Sequence, residues 1–471
     1  MNKLHIVLAL FCIPFLGKTQ STWDKVSCGT EFTIALKSDQ TIWGWGNNLN
    51  GQLGFGNNIS TFDPLQIGTA TDWKSIAAGS FQSFGIKTNG TLWSWGLNSV
   101  GQLGIGNTTQ QNEPTQVGMD NDWRFICAGQ GHSFGIKTDS TLWTWGFNFN
   151  GQLGIGSTTN TLTPTPVGTD HDWVSAAAGG SHSLALKADG TIWSWGFNGN
   201  GQLGNGTTTQ SETPVQVGSL TSWVEIAAGF EFSLARRNDG TLWAWGFNGN
   251  GQLGDGTTIE HAVPEQAGTA NNWIKIAAGS SFAFGISLDQ RLYGWGYNGF
   301  GQLGYGGTNQ ENFPVQIGFD SDWQEVAAAP GTIFSSSVLG NHAVGIKGAK
   351  TVICASGANY IGQLGDGTTV DDDLFHCTTA DLTADLKEVQ SGFSSISISP
   401  NPSKGMLQID LMELNSTNCA YKVVNLAGEK LLIGQTNTPI FSLDLSGLSA
   451  GIYLITFEKE GEFSTKKIIL E

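Results

Sequence analysis

The stretch that decides the fold is DWKSIAAGSFQSFGIKTNGTLWSWGLNSVGQLGIGNTTQQNEPTQVG, residues 72–118. Its tetrapeptide GQLG begins at residue 101 and also at residues 51, 151, 201, 251, 301 and 362. Five successive intervals are 50 residues long and the last is 61, which indicates one structural unit repeated along the chain. Because a binding site needs to occur only once, whereas a turn recurs in every unit, GQLG is expected to set the geometry of the unit.

Each unit is predicted to contain four short strands. In the quoted unit, alternating apolar residues predict the first three: Trp73–Ala78, Ser83–Lys87 and Thr91–Gly96. Asn89-Gly90 predicts a two-residue hairpin of the primed type, and Pro114 is expected to introduce a short edge strand at Gln116-Val117. Both faces of the middle strands are apolar, so each sheet must stack on a neighbour. The sequence therefore predicts an all-β, closed seven-bladed β-propeller, with an open β-solenoid as the alternative.

Charge and the N-terminus indicate an exported protein. The net charge of −17 over 471 residues argues against nucleic acid as a partner, since phosphates require a basic face. In residues 1–19, Lys3 precedes an apolar stretch from Leu4 to Leu16 that is too short to span a bilayer, which predicts a secretory signal peptide. No second stretch is apolar enough for a membrane span, and we expect a soluble monomer.

The repeat resembles that of the regulator of chromosome condensation family. The matching segments are CAGQGHSFGIK at 127–137 and WGFNGNGQLG at 195–204 and 245–254. The resemblance covers residues 20–376 and implies a seven-bladed propeller. The seventh unit departs from the pattern, because Cys354-Ala355-Ser356 replaces Trp-x-Trp and residues 330–339 are inserted.

The C-terminal residues 393–471 contain no Trp and alternate with period two, which predicts a small β-sandwich after a linker at 377–392. They resemble the type A sorting domain of the type IX secretion system, in the segments SPNPSKG (399–405), LDLSGLSAGIYLITF (443–457) and TKKIIL (465–470). This resemblance implies that residues 393–471 engage the type IX machinery. It also implies release from, or attachment to, the outer surface of a Gram-negative bacterium.

Motifs of enzyme chemistry are missing from the sequence. There is no P-loop, no H-E-x-x-H, no C-x-x-C and no G-x-S-x-G, so we expect no enzymatic activity, no cofactor and no metal site. One repeat position favours packing over metal binding because it mixes residue types: Phe32, Gln82, His132, His182, Phe232, Phe282 and His342. Asp366 and Asp371–Asp373 favour a solvated acidic linker over a Ca²⁺ loop. Cys354 and Cys377 could form a disulfide, which the sequence leaves open.

Candidate binding residues are those that differ between the units. The residue after the Trp-Gly pair is aromatic in four consecutive units: Phe147, Phe197, Phe247 and Tyr297. Together with Ile333 and Phe334 of the insertion, these rings predict a contact surface for an extracellular protein or glycan, unless they lie between the blades as core. The resemblance also allows guanine nucleotide exchange activity, and carboxylates on the rim allow a hydrolase, as alternatives to this non-enzymatic recognition role.

Overall fold

The computed structural model describes residues 21–331, 340–379, 396–400, 403–411, 419–425, 430–436, 438–449, 451–459 and 462–470. The chain divides into two compact units, Met1–Asp381 and Leu382–Glu471. The predicted signal peptide at 1–19 lies outside the described residues, as do residues 380–392 of the predicted linker. Residues 377–379 of that linker belong instead to the last strand of the first unit.

The first unit consists of seven four-stranded antiparallel sheets, or blades, whose strands pair in chain order. Blade 1 has β1 (Trp23–Cys28), β2 (Phe32–Lys37), β3 (Ile42–Gly46) and β4 (Thr61–Gln66). Blade 2 has β5 (Trp73–Ala78), β6 (Gln82–Lys87), β7 (Leu92–Gly96) and β8 (Gln111–Gln116). Blade 3 has β9 (Trp123–Ala128), β10 (His132–Lys137), β11 (Leu142–Gly146) and β12 (Thr161–Pro166). Blade 4 has β13 (Trp173–Ala178), β14 (His182–Lys187), β15 (Ile192–Gly196) and β16 (Ser211–Gln216).

The remaining blades repeat this order. Blade 5 has β17 (Trp223–Ala228), β18 (Phe232–Arg237), β19 (Leu242–Gly246) and β20 (His261–Gln266). Blade 6 has β21 (Trp273–Ala278), β22 (Phe282–Ser287), β23 (Leu292–Gly296) and β24 (Glu311–Gln316). Blade 7 has β25 (Glu325–Ala328), β26 (His342–Lys347), β27 (Val352–Gly357) and β28 (Asp372–Thr379). The predicted all-β propeller is confirmed.

The blades form a closed ring in which each sheet is continuous in sequence. First strands of neighbouring blades contact one another around the whole ring, from β1 through β25 and back to β1, so they line the axis. The ring closes between blades 7 and 1 without strand exchange. There Trp23 and Trp45 pack against Val344, Ile346 and Leu364.

The GQLG turn lies between the third and fourth strands of each blade and forms hydrogen bonds to the next blade. In blade 2, Leu103 N donates to Asn98 Oδ1 at 3.0 Å, which fixes the turn. The carbonyl of Gln102 then accepts hydrogen bonds from two groups of blade 3, Trp145 Nε1 at 3.0 Å and Ser133 Oγ at 3.2 Å. Gly104, with φ of +74°, leaves room for this indole, since a Cβ there would lie 2.9 Å from its ring.

On the opposite side of the blades, Lys side chains lie over paired Trp rings. Lys87 Nζ is 5.1 Å from the ring centroid of Trp73 and 4.9 Å from that of Trp93. It also forms a 3.0 Å ion pair with Asp72. Equivalent Lys–Trp contacts occur in blades 1, 3, 4 and 7, made by Lys37, Lys137, Lys187 and Lys347. This contact stabilises that end of these five blades through cation–π attraction.

Two local predictions for the repeat are wrong. The hairpin at Asn89-Gly90 is closed by a bond from Gly90 N to Lys87 O (2.9 Å), so the loop has three residues and only Gly90 is left-handed, with φ of +82°. The fourth strand is longer than predicted and Pro114 lies inside it rather than before it. Proline is tolerated there because this strand is the outer edge of the sheet.

Blade 7 replaces the missing Trp residues by side chains from another strand. Cys354 and Cys377, which face each other across β27 and β28, form a disulfide. Phe375 packs against Trp323 with ring centroids 5.2 Å apart and contacts Gly304 of blade 6, as a Trp does in other blades. Ser356 Oγ donates to Gln302 O at 3.0 Å, the bond that the indole makes elsewhere.

The second unit contains two small antiparallel sheets. One has β29 (Ser397–Ser399), β30 (Met406–Asp410) and β33 (Ile440–Asp444), and the other has β31 (Cys419–Asn425), β32 (Lys430–Thr436), β34 (Gly451–Lys459) and β35 (Glu462–Leu470). The predicted alternation holds for β30 and its neighbours, since Leu407, Ile409 and Leu443 are buried in one core. In β34 the buried residues whose side chains are described are Tyr453, Ile455 and Phe457.

The turn between the second and third strands of each blade has one position with a left-handed backbone. This position predicts stabilising substitutions. Gln40, Ser140 and Gln290 have φ of 64°, 65° and 59° where other blades have Gly. Ser140→Gly and Gln290→Gly are each expected to raise the free energy of unfolding by about 0.5–1 kcal/mol, since L-residues are strained there. Thr138→Gly, in the same turn as Ser140, serves as control and should lower it. Urea unfolding measures the free energy of unfolding of each variant. A lower value for Ser140→Gly than for the wild type would contradict the assignment.

Candidate binding face

The loops of each blade emerge on two opposite faces of the ring. One, the loop face, carries the short loop between the first two strands and the long GQLG loop between the last two. Its short loops are 29–31, 79–81, 129–131, 179–181, 229–231, 279–281 and, in blade 7, the described residues 329–331 and 340–341, and its long loops are 47–60, 97–110, 147–160, 197–210, 247–260, 297–310 and 358–371. The other, the turn face, carries the three-residue turns and the connections between blades.

The centre of the loop face is closed by the short loops. Backbone hydrogen bonds run from blade to blade, for example from Thr30 N to Ser80 O at 3.1 Å and from Phe230 N to Ser280 O at 3.2 Å. Gly331 is buried against this ring, and its carbonyl accepts a bond from Ser80 Oγ at 3.2 Å. The described short loops are thus tied to one another around the centre of the loop face, which makes this surface rigid.

The four predicted rings lie on this loop face. Phe147, Phe197, Phe247 and Tyr297 are half-buried, and none belongs to the hydrophobic clusters that join the described blades. Their backbone amides bond to the short loop of the same blade, as Phe247 N does to Glu231 O at 2.9 Å. They form an arc over blades 3 to 6. Ile333 and Phe334, also predicted as binding residues, lie outside the described residues.

Small residues decide how each ring is held. In blades 4 to 6, Gly199, Gly249 and Gly299 let the ring fold over its own loop, since a Cβ at residue 199 would lie 2.6 Å from Cζ of Phe197. In blade 3 the same position is Phe149, which is 72% exposed and stacks on Phe147 with centroids 6.5 Å apart. Phe149 was missed from the sequence, although an aromatic residue at a position that is Gly in the next three blades was a visible signal.

The predicted packing role of the His position agrees with its contacts. His132 and His182 are fully buried, and their Nε2 atoms each bond to a Ser Oγ of the next blade, Ser183 and Ser233, at 3.0 Å. His342 Nε2 bonds in the same way to Thr33 Oγ1 at 3.2 Å. Burial lowers the pKa of each of the three imidazoles to about 3, so they are neutral joints between blades.

The acidic segment predicted as a linker belongs to blade 7 instead. Asp366 Oδ1 accepts bonds from Asn359 Nδ2 at 3.0 Å and from Thr368 N at 2.9 Å, within the long loop. Asp371 Oδ1 accepts a bond from Asn359 N at 2.7 Å, and Asp372 is in strand β28. These carboxylates cap backbone and amide groups. In the part of the chain that the structure describes, no group of three or more metal-ligating residues is placed to bind an ion.

A cleft of about 610 Å³ lies elsewhere, on the outer wall between blades 3 and 4. It is lined by Pro166, Asp170, Trp193 and Pro214, among others. Half-buried Trp residues occur at the position of Trp193 in blades 1 to 5 and are held by a bond to a Thr, such as Thr191 Oγ1 at 3.1 Å. The cleft therefore follows from the repeat, whereas the aromatic arc differs between blades.

Comparison with known families identifies both units. An RCC1-like domain matches residues 13–221, and regulator of chromosome condensation (RCC1) repeats match residues 239–286 and 289–332. A secretion system C-terminal sorting domain matches residues 397–471. Both resemblances seen in the sequence are confirmed. Within the described ranges the structure has no helix that is long and apolar enough to cross a bilayer.

Individual relatives match only short parts of the chain. Karilysin of Tannerella forsythia is 31% identical over 86 residues, which are 16% of this chain and 18% of karilysin. The mitochondrial RCC1 domain-containing protein RUG3 of Arabidopsis thaliana is 43% identical over 42 residues, 9% of either chain. The present chain therefore spans less than a fifth of the length of these relatives.

Solved structures share the propeller fold. Prp20p of Saccharomyces cerevisiae superposes with a TM-score of 0.63 at 20% identity, covering 77% of this chain and 88% of Prp20p. Human WBSCR16 superposes with a TM-score of 0.60 at 24% identity, covering 66% of this chain and 86% of that protein. At these identities the likeness establishes the fold alone.

The buried imidazoles predict a loss of stability in acid. Between pH 6.5 and about 3 the unfolded chain protonates His132, His182 and His342 and the folded chain does not, so the free energy of unfolding falls as the pH is lowered. Each contributes about 1.4 kcal/mol per pH unit within that window. Replacing all three by Gln, as found at residue 82, should flatten this dependence.

Urea midpoints at pH 7, 5.5 and 4.5 measure the slope for the wild type and the triple variant. The variant His171→Gln, at an exposed residue, serves as the control. An acid slope that is as steep in the triple variant as in the wild type would contradict the assignment.

Proposed function

We propose that this chain, an RCC1-repeat propeller followed by a secretion-system sorting domain, is an exported, non-enzymatic recognition protein. It binds an extracellular protein or glycan on its loop face. The observation that carries this proposal is the arc of Phe147, Phe197, Phe247 and Tyr297, half-exposed and outside the blade clusters. Aromatic side chains that are rigidly held and partly open to solvent are typical of binding hot spots.

The rigidity of the loop face supports the same role. Asn248 Oδ1 accepts a bond from Leu253 N at 3.0 Å, and Asn248 Nδ2 donates to Ile259 O at 3.0 Å, so the long loop of blade 5 is fixed at both ends. The same Asn fixes the long loops of blades 1 to 4. A surface that is ordered before binding loses little conformational entropy when a partner docks.

The sorting domain supports a location outside the cell. Residues 397–471 match a secretion system C-terminal sorting domain, and we infer export by the type IX system. The mature protein is then released or held at the outer-membrane surface of a Gram-negative bacterium. In that location the loop face meets extracellular proteins and glycans.

Substitution of the rings tests the recognition role. The triple variant Phe147→Ala/Phe197→Ala/Phe247→Ala should lose at least ten-fold in partner capture from the medium or cell surface of the source culture, with a urea midpoint close to that of the wild type. Phe319→Ala removes a ring that is 94% exposed on the turn face and should leave capture unchanged. Equal capture by the triple variant and the wild type would refute the proposal. Unfolding of the triple variant would also refute it, because the rings would then be part of the hydrophobic core.

Removal of residues 393–471 tests the export route. The truncated chain should remain inside the cell, most simply in the periplasm if residues 1–19 act as a signal peptide, while the full chain reaches the surface or medium. Immunoblots of fractionated cells measure the distribution, and a periplasmic marker enzyme controls for lysis. Equal extracellular amounts of the two chains would contradict the assignment.

A further inference from the structure

The loop face carries no cationic side chain of Lys or Arg. None of its short or long loops contains either residue in the sequence, and their acidic residues are Glu31, Glu231, Asp255, Glu260, Asp366 and Asp371. The Lys and Arg residues of the propeller lie in the strands or at the turn face, where many are engaged, as Lys87 is with Asp72. Three of these acidic residues, Glu231, Asp255 and Glu260, lie in blade 5 within the aromatic arc, and no Lys or Arg of these loops offsets their charge.

Four of these carboxylates are engaged by groups of the propeller, whereas in blade 5 Glu231 has a single hydrogen bond and Glu260 has none among the described residues. Asp255 pairs with His261 at 2.7 Å, and Glu31 accepts hydrogen bonds from Asn47 Nδ2 at 2.7 Å and from the hydroxyl of Tyr360. At the position equivalent to Asn47, blade 5 has Phe247, which offers no donor side chain. Glu231 is left with a bond from Asn200 alone.

Glu231 and Glu260 act on each other in this blade. Burial raises the pKa of Glu231, and the negative charge of Glu260 raises it further. Among the described residues neither carboxylate forms an ion pair, and Glu260 is exposed. Glu231 O also accepts the backbone amide of Phe247 at 2.9 Å, so the main chain of Glu231 lies beside the arc, and Glu260 is the last residue of the long loop that Phe247 begins.

We propose that the partner of the loop face is a basic segment of an extracellular protein, with a Lys or Arg side chain bound by Glu231, Glu260 and the ring of Phe247. This inference rests on the proposed recognition role and names the partner's chemistry. A cation on the partner relieves the repulsion between the two carboxylates. The negative face of an aromatic ring attracts the same cation. Ile259, the exposed neighbour of Glu260 in the chain, offers apolar surface for the aliphatic stem of that side chain.

Fluorescence anisotropy with the full chain tests the proposal. The probes are a labelled peptide of alternating Arg, Lys, Gly and Ser and a matched peptide with Gln at every basic position. The basic peptide should bind and the Gln peptide should not. Binding should weaken when the salt concentration is raised from 50 to 300 mM, because exposed charges are screened.

Variants in blade 5 localise the site. Glu231→Gln and Glu260→Gln should each weaken binding of the basic peptide by about ten-fold, as expected for loss of one charge-assisted contact. Glu265→Gln is the matched control, because it removes an exposed charge from the outer strand β20 of the same blade, and it should leave binding unchanged. If the three variants bind alike, or if the basic peptide does not bind, the proposal is overturned.

A neutral oligosaccharide, maltohexaose, separates this inference from the recognition role itself. If maltohexaose binds with dependence on Phe247 but not on Glu231 or Glu260, the surface is a glycan site and the basic partner is refuted. If partner capture depends on the rings while both Glu→Gln variants behave as wild type, the recognition role stands and this inference falls. If no ligand and no capture depends on the rings, both fall.

Discussion

The hydrogen bond between a GQLG carbonyl and the indole of the next blade is the interaction on which the rest of the structure depends. Gln152 O accepts Trp195 Nε1 at 2.8 Å and Ser183 Oγ at 2.8 Å, and Ser183 in turn bonds to His132. Each blade is otherwise complete in itself, since its four strands are consecutive. The ring therefore holds together through side chains that reach across each seam. The indole makes this bond at five of the seven seams. At the other two, Ser83 Oγ bonds to Gln52 O and Ser356 Oγ to Gln302 O. These contacts between blades also keep the loop face rigid.

The period and the apolar pattern were enough to predict the propeller, because every blade must bury the same faces. The details that failed depend on neighbours that are distant in sequence or on backbone geometry. Phe375 fills the Trp site of blade 7 from a different strand, which no alignment of repeat positions reveals. Asn89-Gly90 fits a primed turn by composition, but the strand register selects a loop of three residues. The disulfide followed from the pairing of β27 with β28.

The candidate site could be predicted only in part from the sequence. The four arc positions were identifiable because they vary where the rest of the repeat is constant. Whether the rings lie between blades or on the surface could not be read, since this depends on the space that Gly199 and Gly249 leave in the third dimension. The role of Glu231 was also hidden, because Glu31 has the same place in the repeat but different neighbours, Asn47 and Tyr360.

Because the four strands of each blade are consecutive in the chain, a whole blade can be duplicated or deleted as one segment. A recombination event between two of the near-identical segments that encode GQLG would remove or add one complete four-stranded wedge. The new neighbours would meet through the same Gln carbonyl and Trp indole, so no sheet would be left with a missing strand. The number of blades can then change in one genetic step, and a duplicated blade would carry an extra copy of its own face.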